Sequence, residues 1–195
     1  MKKIVSVSIV FIVLTSTNVY AQMKAGAACD KHSSNISFGY GLVSVWKTFL
    51  DKVIEIPEYK VKSTFFYTLI YEHAIYKRFS VGISASYSRV NGKADRFELS
   101  DQITILSVLA RADYHLFKSA KFDPYFGGGI GINNSKYKNL NTQTVIPDLN
   151  KSIPSTLDFS AQLGLKYFPV KHFGVYMEAG YVGGAILHVG VTSKF

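Results

Sequence analysis

The 195-residue sequence predicts an all-β protein, an eight-stranded antiparallel up-and-down transmembrane β-barrel. Three observations carry that expectation. Apolar and polar residues alternate with period two in eight separate segments, as strands with two unlike faces require. After residue 21 no apolar run approaches the roughly 20 residues that a membrane helix needs. The last alternating segment also runs to the C-terminal residue, Phe195.

The N-terminal segment reads as a leader. Lys2 and Lys3 give it a charged start, residues 4–14 an apolar run broken by Ser6 and Ser8, and Val19-Tyr20-Ala21 a small-residue end before Gln22. That is the pattern of a secretory signal peptide over 1–21, with an apolar run of about 11 residues that is too short to span a bilayer. Residues 22–34 are then expected to form a periplasmic tail and 35–195 the barrel domain. Removal of 1–21 would leave 174 residues (195 − 21) and lower the formal charge from +9 to +7. The remaining charges are scattered, no Lys/Arg run reaches the length of a nucleic-acid patch, and export argues against such a partner. A basic exterior would suit anionic lipopolysaccharide. Cys29 is the only cysteine, so no internal disulfide is possible. It is either an acylated lipoprotein cysteine, for which Gly26-Ala27-Ala28 are suitably small, or an unmodified residue of the tail. Its distance from the apolar run favours the second.

Strand 1, near 35–45, sets Ile36, Phe38, Tyr40 and Leu42 against Ser37, Gly39 and Gly41. Strand 2, near 62–76, puts Phe65, Tyr67, Leu69, Tyr71, His73 and Ile75 opposite Thr64, Phe66, Thr68, Ile70, Glu72 and Ala74. A turn at Lys77-Arg78 leads to strand 3, where Phe79, Val81, Ile83, Ala85 and Tyr87 oppose a serine-rich face. Strand 4, near 102–117, has Leu106, Val108, Ala110, Ala112, Tyr114 and Leu116 outward and Ser107, Arg111, Asp113 and His115 inward. In strand 5, Phe122, Phe126, Ile130 and Ile132 oppose Tyr125, Gly127, Gly129 and Gly131, with Pro124 at its start, where a missing N–H is tolerated. Strand 6, near 156–168, sets Leu157, Phe159, Ala161, Leu163, Leu165 and Tyr167 against Asp158, Ser160, Gln162, Gly164 and Lys166. Strand 7 sets Phe173, Val175, Met177, Ala179 and Tyr181 against Gly174, Tyr176, Glu178 and Gly180. Strand 8, 185–195, puts Ala185, Leu187, Val189, Val191, Ser193 and Phe195 on one face and Ile186, His188, Gly190, Thr192 and Lys194 on the other.

The connections alternate: short at 77–78, 118–121 and 169–172, long at 46–61, 91–101 and 133–155, with 182–184 a turn-sized exception. Short periplasmic turns and longer external loops are the asymmetry of outer-membrane barrels, and an even strand count leaves both termini in the periplasm. A soluble lipocalin-like barrel would keep its apolar face inside, which the polar set facing the lumen argues against.

The phrases Asp123-Pro124-Tyr125-Phe126-Gly127-Gly128-Gly129-Ile130-Gly131 and Gly164-Leu165-Lys166-Tyr167-Phe168, with the ending Val189-Gly190-Val191-Thr192-Ser193-Lys194-Phe195, resemble the small eight-stranded outer-membrane barrel family, the one containing OmpX and the membrane domain of OmpA. The likeness covers the whole mature chain. It implies residence in the bacterial outer membrane and a terminal assembly signal in Leu187, Val189, Val191 and Phe195. The expected partners are outer-membrane lipid and lipopolysaccharide, the barrel-assembly machinery and periplasmic chaperones, with the chain itself a monomer. Nothing follows strand 8, so the peptidoglycan-binding domain of full-length OmpA is not expected.

The inward set of charged and imidazole groups is Glu72, Arg111, Asp113, His115, Asp158, Lys166, Glu178, His188 and Lys194. An eight-stranded barrel is only wide enough to be filled by its own side chains, and buried charges must be paired. An ion-pair network sealing the lumen is therefore expected; a polar path for ions, encouraged by inward Gly and Ser, is the alternative. No His-x-Ser pattern tops a lipid-facing strand and no Ser/His/acid triad assembles by parity, so neither enzyme activity, cofactor nor metal is expected. In the first loop Trp46, Phe49, Leu50, Val53 and Ile54 follow the spacing of a short amphipathic helix, against which stands a strand extension with irregular loop. The leading function is a non-enzymatic surface barrel with envelope-structural and loop-mediated roles; the alternative is a narrow pore or transport barrel for small or apolar solutes.

Overall fold

The computed structural model describes residues 31–43, 45, 60–94, 99–116, 119–139 and 157–195, apart from the side chains of 62–65, 94, 99, 101 and 139. The signal segment, Cys29 and the stripe Trp46, Phe49, Leu50, Val53 and Ile54 lie outside the described residues.

Eight strands follow one another around a closed barrel: β1 Ser34–Gly41, β2 Lys60–Tyr76, β3 Phe79–Ala94, β4 Leu99–His115, β5 Phe122–Asn139, β6 Leu157–Val170, β7 Phe173–Val182 and β8 Ala185–Lys194. Every neighbouring pair is antiparallel, and β8 closes on β1 with Phe38 opposite Val191 and Gly39 opposite Gly190. Closure leaves no unpaired edge in the ring, the condition for strands to cross lipid. Alternation dictates the rest. Phe38, Ile83, Leu163 and Phe173 are more than half exposed on the outer face, while Glu72, Asp113, Lys166 and Glu178 between such residues are at most 1 % exposed.

Several expected boundaries are corrected. β1 ends at Gly41 rather than near residue 45, and β3, β4 and β5 run well beyond the expected loop starts. The connection between β3 and β4 shrinks to 95–98, and that between β5 and β6 to 140–156. Outward residues there turn polar (Asn91, Lys93, Asn134, Lys136, Lys138), which imitates loop composition, yet the ladder continues with Asn91 opposite Gln102 and Gln102 opposite Lys138. Backbone pairing needs no apolar outer face once a strand has left the lipid. β6 carries through Pro169 to Val170 across a register shift, leaving the two-residue turn 171–172, while the β4–β5 turn spans 116–121. In β8 Ala185 is buried and Ile186 exposed, against strict alternation, because the β7–β8 register slips between Ala179 and Val182. Gly183 and Gly184, with φ of 55° and 100°, make the tight turn beside that slip.

Aromatic rings occupy the space that inward glycines leave. A Cβ at Gly164 would run into the Tyr125 ring of the paired strand, and one at Gly41 into the Phe66 ring. Tyr176 lies against Gly190 and Gly39 in the same way. Gly39, Gly41, Gly164 and Gly190, among the inward glycines that suggest an open channel in the sequence, are the seats of these rings.

Candidate functional site

The centre of the lumen is built around Arg111 on β4. Its Nη2 donates to Glu178 Oε1 at 2.7 Å and to Asp113 Oδ1 at 3.0 Å, and lies 3.4 Å from Glu72 Oε1. Its Nε donates to Asp113 Oδ2 at 2.8 Å. Lys166 on β6 donates to Glu72 Oε2 and sits 4.7 Å from the centroid of the Tyr125 ring. The Tyr125 hydroxyl donates to Glu178 Oε1 at 2.7 Å, and Gln162 Nε2 to Asp113 Oδ1 at 2.9 Å. Five strands contribute: β2, β4, β5, β6 and β7. Two cations meet three carboxylates here, and charge-assisted hydrogen bonds of this kind are the strong ones in a low-dielectric interior.

The structure thus brings together Glu72, Arg111, Asp113, Lys166 and Glu178 from the inward set. The other four have partners elsewhere, although His188 stands opposite Glu178 in the β7–β8 ladder. Asp158 accepts from Ser107 Oγ at 2.5 Å, and His188 Nδ1 is 3.3 Å from Thr68 Oγ1, both toward the loop end. Lys194 lies at the short-turn end with its Nζ 5.5 Å from the Phe168 ring centroid. His115 Nδ1 pairs with Asp123 Oδ1 at 2.6 Å and its Nε2 lies 3.1 Å from Ser80 Oγ.

That last set corrects the expectation that no triad assembles, because Ser80, His115 and Asp123 adopt the hydrogen-bond order of one. They are 2 %, 1 % and 0 % exposed. Hydrolytic chemistry also needs an acyl group about 3 Å from both nucleophile and oxyanion donors. The Ser80 hydroxyl is enclosed, and its strand is paired on both sides, Ser80 facing Ala74 on β2 and Asp113 on β4. Its hydrogen bonds satisfy buried polar groups, as burial demands. On the outer face, Ser34 Oγ lies 2.9 Å from His73 Nδ1; among the described residues no carboxylate is hydrogen-bonded to that imidazole.

Sequence reasoning left Asp123, Tyr125 and Gln162 out of the network. Alternation carried back across Pro124 puts Asp123 on the face of Tyr125, so period two alone held that signal. Leu187, Val189, Val191 and Phe195 lie on the outer face, with Val191 and Phe195 the most exposed of the four.

Beyond the last shared rows with β1 and β6, strands β2–β5 rise as a four-stranded sheet: Lys60 pairs with Lys93, Ala94 with Leu99 and Asp101 with Asn139. Its inner face holds the buried Val61, Val90, Ile103 and Ile105. The described carboxylates are confined to one face of the wall. Every Asp and Glu with a described side chain (Glu72, Asp113, Asp123, Asp158, Glu178) is buried in the lumen, whereas Lys60, Lys93, Lys136 and Lys138 are exposed on the outside of the raised sheet.

A closed antiparallel barrel with an apolar outer belt and a polar interior is a membrane-spanning β-barrel protein. The outer-membrane protein β-barrel domain family matches residues 9–189, and the chain belongs to that family and to the bacterial outer membrane. In sequence no curated protein matches it. Similar solved structures include Ail of Yersinia pestis in complex with the heparin analogue sucrose octasulfate, at 15 % identity and a TM-score of 0.46, with 85 % of this chain and 99 % of that one covered. OprG of Pseudomonas aeruginosa is 12 % identical over 89 % of this chain and 99 % of its own, with a TM-score of 0.46. The E. coli outer membrane protein W is 14 % identical over 85 % and 99 %, also with a TM-score of 0.46.

Proposed function

We propose that the chain is a non-conducting, non-enzymatic barrel, exported by residues 1–21 and assembled through its terminal strand, that holds a raised sheet on the outer face of the outer membrane. Both termini and the short turns lie in the periplasm; the raised sheet and long connections face outward. The carrying observation is the lumen. The Arg111 cluster, with Lys166 and Tyr125, brings buried side chains from five of the eight strands to one centre, and opening a path through it would strand buried charges at several kcal/mol each. Function then falls to the surface, where loops and strand ends carry recognition.

The pore reading draws support from the inward stripe Ser80, Ser84, Ser86 and Ser88 along β3. Planar-bilayer recording of the purified chain separates the two. A silent trace is expected, and discrete current steps that disappear with boiled protein overturn the proposal. A fluorophosphonate serine probe is expected to leave Ser80 unlabelled; stoichiometric labelling there would make the barrel a hydrolase.

A further inference from the structure

The start of β1 carries two imidazoles that the lumen network does not use. His73 on β2 stands opposite Ser34 on β1 and Val81 on β3, on the outer face near the short-turn end. Just before β1 the pairing with β2 becomes irregular. The Ala74 carbonyl accepts from the His32 N–H at 2.8 Å, and the Ala74 N–H donates to Ser33 O at 2.9 Å, so two residues face one. This is a β-bulge whose first residue is left-handed, with His32 at φ 67°. Glycine usually fills that position. Among the described residues His32 is the one non-glycine with positive φ. Bulges at barrel rims re-aim side chains. Here the His32 ring comes to 6.3 Å from the His73 ring, centroid to centroid, with the planes inclined at 43°.

That separation has a chemical meaning. An imidazole bound through nitrogen at about 2.0–2.1 Å holds its centroid roughly 3.2 Å from the ion, so two on a tetrahedral ion stand roughly 5.2 Å apart. Closing the gap takes a shift of about 1 Å, which the exposed His32 can supply by side-chain rotation. His73 is already oriented. Its Nδ1 lies 2.9 Å from Ser34 Oγ, which is 3.4 Å from the Tyr71 hydroxyl. With Nδ1 engaged, Nε2 is the nitrogen left for a ligand, and a metal-bound histidine typically keeps its second nitrogen hydrogen-bonded in this way.

We propose that His32 and His73 form a binding site for a borderline divalent transition-metal ion, Zn²⁺, Ni²⁺ or Cu²⁺, at the rim where the first strand begins. Neutral imidazole suits these ions, whereas Mg²⁺ and Ca²⁺ take oxygen ligands. Among the described residues no third histidine, cysteine or carboxylate joins the pair, so solvent fills the remaining positions and the ion is exchangeable. Ligand spacing in the sequence foretells no such site, because the two residues lie far apart and only the β1–β2 pairing unites them. The site does not depend on which side of the membrane this rim faces.

The test is isothermal titration calorimetry of the folded, untagged chain in detergent with Zn²⁺ alone, in a Cys29→Ser background so that no thiol contributes. One ion per chain is expected. Binding should weaken at least tenfold in His32→Gln and in His73→Gln, and persist in His172→Gln, whose imidazole lies in the β6–β7 turn at the same rim. Heat-modifiable gel migration checks that each variant is folded; His32 lies outside the β1 ladder, so its variant decides the matter if His73→Gln does not fold. With Cu²⁺ in place of Zn²⁺, the electron paramagnetic resonance spectrum should show two imidazole nitrogens, and one in His32→Gln. Absence of Zn²⁺ binding, equal affinity in His32→Gln, loss of binding in His172→Gln, or a copper spectrum unchanged by the His32 substitution overturns the proposal.

Discussion

Arg111 holds three carboxylates at once, and that arrangement makes it the residue whose loss the barrel should feel most. Asp113 reaches it from the same strand, while Glu178 and Glu72 approach from β7 and β2. Arg111→Met removes one of the two cations and leaves Glu72, Asp113 and Glu178 facing one another with Lys166 alone. Breaking a buried pair by removing one partner costs about 3–5 kcal/mol. The urea midpoint of unfolding from lipid vesicles should fall accordingly, while Glu178→Gln, which keeps an acceptor for the Tyr125 hydroxyl, should fall by less. A midpoint unchanged in Arg111→Met would mean that the cluster contributes nothing to stability. Period two made the inward residues legible in the sequence, since each strand states which side every residue takes. It did not say which inward residues meet, because the stagger between strands sets their heights. Hence His115 lands on Asp123 and Ser80, and His188 hydrogen-bonds Thr68 although it stands opposite Glu178 in the β7–β8 ladder.

At the scale of elements, the strand count and order could be read from the chain, and the heights of the strands could not. Asn134, Lys136 and Lys138 carry no period-two apolar signal, and only the pairing with β4 shows them to be strand. Loop composition and the composition of a strand outside lipid are chemically the same. The glycines misled for a related reason. A run of small inward residues reads as empty space until the neighbouring strand's ring is seen in it. Gly164→Leu should therefore drive the new side chain into the Tyr125 ring, and overpacking of this kind costs typically about 1–3 kcal/mol. Tyr125→Ala in the same chain should recover part of the loss, because it vacates that volume. If the double variant refolds into vesicles no better than Gly164→Leu alone, the ring and the glycine are not a packing pair.

The whole molecule reverses the usual arrangement of a protein: carboxylates, lysine and arginine inside, leucine and phenylalanine outside. Lipid removes the penalty on the outer face, and mutual pairing relieves it on the inner. The raised sheet adds a second asymmetry, between one tall side of the wall and one low side. β3 and β4 are paired from Phe79 opposite Tyr114 to Ala94 opposite Leu99, whereas the β1–β8 ladder covers Asn35–Gly41, with backbone hydrogen bonds continuing it to Phe195 at one end and to Gly184 at the other.

That short junction has a consequence in time rather than in space. The first and last strands of the chain meet there, so the ring can be sealed only after every other strand has been laid down, and it is sealed along one of the shortest ladders in the wall. Opening there is then cheaper than along β3–β4, since the free energy of local opening scales with the pairing that must be given up. Amide protons of β1 and β8 should exchange with deuterated solvent before those of β3 and β4, measured on the lipid-reconstituted chain below its melting range. Uniform protection around the ring would contradict this order. A barrel with such a seam has a definite last step in closing and a definite first step in opening, and both occur where its two ends meet.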